Sequence, residues 1–239
     1  MVNKFIKDHN LLFQVIPNSE WEILLPHIEE FDLPLGKVLY EPGVKISHVY
    51  FPSSAIVSLL YALENGSSAE IAVVGNEGVV GISIFMGGES TSSRGVVKSA
   101  GKGYRIKSKV LLEEFNQSIP LMHLLLRYTQ ALITQMSQTA VCNRHHTLDQ
   151  QFCRWLLLSL DRLQSNELLM TQELIANMLG VRREGVTEAA LKVQKANLIK
   201  YSRGHITILD RTGLEKRTCE CYQVVKSEYD RLLPNKIAI

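Results

Sequence analysis

Apolar and polar positions change period along the chain, and the changes divide it into regions. Residues 1–30 read as short helical segments, with Pro17-Asn18-Ser19 as a start signal before Glu20. From about residue 31 to 107, runs of four to eight apolar and β-branched residues alternate with turn signals such as Leu35-Gly36, Glu41-Pro42-Gly43, Pro52-Ser53-Ser54, Gly87-Gly88 and Gly101-Lys102-Gly103. Short strands at that spacing predict a sandwich or barrel. Asn65-Gly66, between Ile56–Tyr61 and Ala69–Val74, fits a type I′ hairpin turn. After Pro120 the period becomes helical to about Asn143. Met122, Leu126, Ile133, Met136 and Ala140 form one apolar stripe, and Leu121, Leu125, Tyr128 and Leu132 offer a second. One stripe docks the helix on its own domain and a partner helix covers the other, so the pattern predicts a homodimer. Leu121, Leu125, Tyr128 and Leu132 are assigned to that dimer contact. The pattern breaks at Asn143-Arg144-His145-His146-Thr147, which marks a domain boundary.

Beyond Leu168 the pattern becomes specific. Thr171 suits an N-cap, and Leu174, Ile175, Met178 and Leu179 form the buried face of a short helix. Gly180 ends it, supplying the positive φ that a tight inter-helix turn needs. A second helix follows from about Arg182 to Ala196. Val186, Ala189, Ala190 and Val193 face inward; Arg183, Glu184, Thr187, Glu188 and Lys192 face out. Two such helices at a glycine turn, the second basic at its start, form a helix-turn-helix. Leu198–Ser202, Arg203-Gly204 and His205–Leu209 then predict a two-stranded wing with a basic tip. In this arrangement Arg183, Glu184, Thr187 and Glu188 face base edges, where an arginine can donate twice to guanine. Glu184 can accept from cytosine N4 or hold a neighbouring arginine. Thr171, Gln172, Arg182, Lys192 and Arg203 are the candidate phosphate contacts.

Charge sharpens this picture. The net charge of the 239 residues is only +2, but residues 1–144 carry 12 basic and 13 acidic side chains, whereas 145–239 carry 14 and 11. Within 180–205, six basic residues (Arg182, Arg183, Lys192, Lys195, Lys200, Arg203) face only Glu184 and Glu188. A local excess of that size suits a polyanion. The 46% apolar fraction and 21% charge are those of an ordinary globular protein. No apolar run approaches the roughly 20 residues of a membrane span, and Met1–Asp8 carries no signal-like stretch, so the expected compartment is the cytoplasm, with no membrane partner.

The chemistry of a catalyst is missing: there is no glycine-rich phosphate loop, nucleophile elbow or metal-ligand spacing. Cys142, Cys153, Cys219 and Cys221 match neither a zinc ribbon nor a disulfide framework. Cys219 and Cys221 read either as part of a metal or redox site or, preferably, as reduced packing residues. His145 and His146 are adjacent and point about 100° apart on a helix, so they cannot share a metal and read as hinge or surface residues. No metal site is expected.

Met170-Thr171-Gln172-Glu173-Leu174-Ile175-Ala176-Asn177-Met178-Leu179-Gly180-Val181-Arg182-Arg183-Glu184-Gly185-Val186-Thr187, with Ala196–Ile199 and Tyr201–Gly204, resembles the Crp/Fnr superfamily of bacterial regulators. Gly36–Gly43 looks like the entry to that family's cyclic-nucleotide-type barrel. Asp210–Glu215 and Cys219–Tyr222 are similar to one subgroup. The resemblance covers nearly the whole chain and implies an α+β fold. A double-stranded jelly-roll barrel (1–118) would act as sensor, 119–144 would be the dimerisation helix, and 145–239 a winged helix-turn-helix. It implies a sequence-specific transcription regulator, homodimeric on two-fold double-stranded DNA, with RNA polymerase as a further partner and no enzymatic activity.

Carried over, the family's base-reading Arg-Glu pair falls on Arg183 and Glu184. A third reading position falls on Glu188, an acid where well-known members often have arginine. In cyclic-AMP-binding members a Gly-Glu-Leu segment holds the ribose and an Arg-Ser pair the cyclic phosphate. Here the first resembles Gly81-Ile82-Ser83, without the carboxylate, and the second Arg94-Gly95, preceded by Ser93 and without the serine. Losing such a charge-assisted bond costs a few kcal/mol, which disfavours cyclic AMP. Arg94 reads equally as a phosphate ligand or a surface arginine. No cofactor is required: the barrel either senses an unidentified small molecule or serves only as a dimer scaffold. With no cysteine before Cys142, an amino-terminal iron-sulfur cluster is not expected. The alternative function is a ligand-binding module whose winged helix contacts protein.

Overall fold

The computed structural model describes residues 6–64, 68–163 and 165–233. The Asn65-Gly66 turn lies outside them, but the strands that flank it are paired. Strand β4 (Ile56–Ala62) runs antiparallel to β5 (Ser68–Val74), with Val57 opposite Val74 and Ala62 opposite Ser68.

The amino-terminal half is two antiparallel sheets facing one another. One has the order β1 (Glu29–Leu33), β7 (Gly101–Lys107), β3 (His48–Pro52). The other has the order β2 (Val38–Tyr40), β6 (Arg94–Ser99), β4, β5. Their inner faces, including Val49, Phe51, Val57, Leu59, Val74, Val97 and Ile106, form a buried core, the double-sheet arrangement that the strand spacing predicts. Two short helices, α1 (Leu11–Val15) and α2 (Asn18–Leu24), close one end, with the Phe13 ring 4.5 Å from that of Phe51 and tilted by 36°. Buried Asn10 caps α1 by accepting from the Leu12 amide at 3.0 Å, and it donates to the carbonyls of Pro52 and Gly78.

Helix α3 (Ser108–Gln117) leads into α4 (Ile119–His145), whose 27 residues span about 40 Å. Ser118 caps α4 and Pro120 sits in its first turn, where proline costs no hydrogen bond. The assignment of its two stripes is reversed from expectation. Leu121, Leu125, Tyr128 and Leu132 are fully buried against this chain's own barrel, and Gly78 leaves no room for a Cβ because the Tyr128 ring lies on it. The outer stripe is Ile119, Leu126, Ile133 and Ala140 at seven-residue spacing; the first three are 64, 43 and 49% exposed.

Helix α5 (Leu148–Leu160) starts at a capping box formed by Thr147 and Gln150. The carboxy-terminal unit continues with β8 (Glu167–Leu169), α6 (Gln172–Leu179), α7 (Arg183–Lys195), β9 (Ile199–Ser202), β10 (His205–Ile208), α8 (Arg211–Arg217) and α9 (Glu220–Leu232). The wing is a three-stranded sheet of order β8-β10-β9, one strand more than the sequence suggested. Helix α9 lies along α4, with the Tyr128 and Tyr229 rings edge-on at 6.4 Å. Among the described residues, no helix is long and apolar enough to cross a membrane.

The two units are joined by buried polar contacts. The Arg162 guanidinium, beyond the end of α5, ion-pairs with Glu77 at 2.8 Å and donates to the carbonyls of Val73 and Leu158. Gln135 of α4 accepts from the Val73 amide at 2.9 Å and donates to the Val73 carbonyl and the Tyr229 hydroxyl.

Candidate nucleic-acid interface and effector cavity

Local chemistry fixes the helix-turn-helix. Thr171 caps α6, its hydroxyl accepting from the Leu174 amide at 3.2 Å. Gly180 ends that helix at φ +65°, so the chain turns within three residues into α7. Val186, Ala189, Ala190 and Val193 are buried with Ile175, Met178 and Ile206, and the small alanines let α7 approach its neighbours closely. That packing leaves Arg182, Arg183, Glu184 and Glu188 on the outer face. The wing turns at Arg203 and Gly204, both at positive φ (+50° and +83°), as a two-residue hairpin turn demands. The wing is tied to the start of α6: the Met170 amide donates to the Gly204 carbonyl at 2.6 Å, and the Tyr201 hydroxyl donates to the Met170 carbonyl.

These ties bring Thr171, Gln172, Arg183, Tyr201 and Arg203 around one open groove. Elsewhere some surface cations are paired, as in Arg105–Glu29, Lys102–Glu30, Arg217–Asp149 and Arg231–Glu228, while others among the described residues, such as Lys107, Arg127, Arg144 and Lys216, are not. Among the described residues Arg182, Arg183, Lys195, Lys200 and Arg203 have no ion-pair partner. Of these, Arg183 and Arg203 line the groove, together with Glu173.

The amino-terminal half contains a cavity of about 90 Å³ between the four-stranded sheet and α4. It is lined by Tyr40, Gly81, Ile82, Ser83, Ser93, Leu132 and Met136, among others. Gly81 enters it at φ +107°. The buried Ser83 hydroxyl has no partner there, while Ser93 bonds with Thr91 at 3.1 Å. Burial pushes the Tyr40 hydroxyl up to about 12, so it stays neutral. No ionised side chain lines the cavity.

Residues 150–217 match the sequence model of the Crp-like helix-turn-helix domain. A structure described as a transcriptional regulator of the Crp/Fnr family from Eubacterium rectale superposes with a TM-score of 0.67 at 18% identity, covering 87% of this chain and 98% of that one. FixK2 from Bradyrhizobium japonicum gives 0.66 at 14% identity over 80% of this chain and 98% of its own. A CooA variant from Carboxydothermus hydrogenoformans gives 0.62 at 14% identity over 88 and 96%. This chain has the Crp/Fnr fold and a Crp-like helix-turn-helix domain. No curated protein matches it in sequence.

Within the Crp-like domain the expected contact residues separate into two groups. Arg182, Arg183, Glu184 and Arg203 are exposed and unengaged by ion pairs. Thr187 is half-buried: its hydroxyl donates to Gln172 Oε1 at 2.8 Å, with the Arg183 carbonyl as the alternative acceptor at 3.0 Å, so it joins the two helices instead of facing out. Glu188 and Lys192, expected to face a base and a phosphate, form an i,i+4 ion pair at 2.8 Å, because one helical turn brings them together. In the amino-terminal half, Gly81, Ile82, Ser83 and Ser93 line the cavity as a set. Arg94 does not; it ion-pairs with Glu41 at 2.7 Å on the surface. The Tyr40 ring occupies the space over Gly95, where a Cβ would lie 2.7 Å away.

Proposed function

We propose that this chain is a homodimeric, sequence-specific DNA-binding transcription regulator whose sensor half does not take cyclic AMP. The observation that carries DNA binding is the placement of two exposed arginines without ion pairs among the described residues, Arg183 and Arg203, on the groove shared by α6, the start of α7 and the wing tip. Arg183, at the first turn of α7, is placed to enter a major groove, and Arg203 on the wing to meet a flanking phosphate. The Glu188–Lys192 pair leaves base reading centred on Arg183 and Glu184. The exposed heptad stripe of α4, not the buried one, is the surface a second copy would cover. Two α7 helices would then meet half-sites one helical turn apart, about 34–36 Å.

The reading against cyclic AMP rests on three features. The ribose carboxylate is missing, Arg94 is held by Glu41, and the cavity is far below the roughly 300–1,000 Å³ of small-molecule sites.

Randomised-site selection followed by gel shift tests the proposal. Arg183→Ala is expected to cost about 1–3 kcal/mol on the selected site and relax specificity. Arg203→Ala should weaken all duplexes alike and reduce the salt slope by about 1. A purified protein showing no salt-dependent duplex binding would sink it.

A further inference from the structure

Three of the four cysteines lie apart from both apolar cores. Cys142, in the last turn of α4, meets Cys219 and Cys221 at the start of α9, and the three form a small buried cluster of their own. His146, the residue that ends α4, completes it. Cys142 Sγ lies 3.5 Å from Cys219 Sγ, and Cys221 Sγ lies 3.5 Å from His146 Nδ1. One ligand atom from each of the four lies within 4.8 Å of every other. A tetrahedral ion with Zn–S near 2.3 Å and Zn–N near 2.0–2.1 Å needs ligand atoms about 3.5–3.8 Å apart.

The surroundings fit the same chemistry. With Nδ1 turned to the sulfurs, the other ring nitrogen, Nε2, meets Glu220 Oε2 at 3.3 Å, the carboxylate–histidine relation that orients metal-bound imidazoles. Gln151 donates to the carbonyls of Cys142 and His146 and holds the helix end in place. Arg154 is only 5% exposed and has no ion-pair partner among the described residues, and its charge acts on Cys142 and Cys221. Three thiolates and one neutral histidine around a divalent ion leave one negative charge, which that guanidinium balances.

We propose that Cys142, His146, Cys219 and Cys221 bind a single Zn²⁺. The ion displaces the thiol protons to solvent and closes a four-ligand structural site. It fastens the end of the long helix to the carboxy-terminal helix, across the boundary between sensor and Crp-like domain. A dithiol switch would use Cys142 and Cys219 alone and leave the histidine and third thiol without a role.

Elemental analysis of the full chain, purified reduced, tests this, followed by Co²⁺ loading of the demetallated protein. The expected result is one Zn²⁺ per chain and the thiolate-to-cobalt charge-transfer and strong visible bands of tetrahedral Co²⁺. Cys219→Ser and Cys221→Ser should each lose the stoichiometric metal. Cys153→Ser, also buried but outside the cluster, should keep it. Glu220→Gln should retain one site at about 10–100-fold weaker affinity. The proposal is overturned if the reduced wild-type chain takes up neither metal, if Cys153→Ser loses metal as Cys221→Ser does, or if a metal-free Cys142–Cys219 disulfide is found. None of these readouts depends on DNA binding.

Discussion

Glu70 offers a quantitative test of the fold. It lies on β5, buried, with the Ser58 hydroxyl donating to its carboxylate and with Lys98 and Arg154 acting on it from nearby. Burial outweighs these partners and pushes the carboxyl from 4.5 up to about 7. Because the folded state holds this proton more tightly than the unfolded chain, the stabilisation is complete below the unfolded value of 4.5. It is lost as pH rises through 7. The loss amounts to about 3 kcal/mol. Glu70→Gln keeps an acceptor for Ser58 but cannot ionise. At pH 5 the variant should match the wild type closely; at pH 8.5 it should be more stable by about 2–4 kcal/mol, or roughly 6–12 °C in melting temperature for a chain of this size. Calorimetry and urea titration at the two pH values measure the difference. A stability difference between variant and wild type that is the same at pH 5 and pH 8.5 would show that Glu70 does not titrate in this range, refuting the reasoning.

Other perturbations probe the joints between elements. Arg162→Ala leaves Glu77 buried without its partner and should cost about 3–5 kcal/mol in chemical denaturation, with part of that recovered in the Arg162→Ala/Glu77→Ala double variant; a cost below 1 kcal/mol would contradict the pairing. Gly75→Ala places a methyl 2.5 Å from Arg162 Cβ and should destabilise the chain by about 1–3 kcal/mol, read in the same assay. Ile133→Glu, on the exposed stripe of α4, should give a folded monomer in analytical ultracentrifugation. Leu125→Ala, on the buried stripe, should instead lower stability by about 2–5 kcal/mol. If Ile133→Glu remains dimeric, the seam lies elsewhere.

How far the chain could be read in advance depended on whether a feature is decided by neighbours in sequence or in space. The Thr171 cap, the Gly180 turn and the Arg203-Gly204 wing tip are each decided within a few residues, so the helix-turn-helix was legible to nearly its ends. Helix α5 had a local signal as well, the Thr147–Gln150 capping box, but it is buried almost all round, which its polar Gln151, Arg154 and Ser159 do not announce. Strand β8 is three residues long, too short for any pattern. The two stripes of α4 satisfy helical periodicity equally; what separates them is tertiary. Gly78 admits the Tyr128 ring on one side, and among the described residues Ile133 on the other is left half exposed.

The cysteine cluster marks the same limit from another direction. Adjacent His145 and His146 cannot meet at one ion, but His146 lies four residues after Cys142, one helical turn, so those two share a face. That Cys-x₃-His spacing and the Cys-x-Cys of Cys219 and Cys221 were both present in the sequence. What could not be read was their meeting, which joins residues 77 positions apart through the docking of α9 on α4. The docking depends on Tyr229, Gln135 and the Glu77–Arg162 pair, which link the amino-terminal sheets, α4 and the carboxy-terminal unit. Leu132 and Met136, which wall the amino-terminal cavity, share a helical turn with Gln135. Any displacement of that turn by an occupant of the cavity therefore acts on the same polar joint that holds the carboxy-terminal helix, and the Cys142 end of α4 lies only two turns further along.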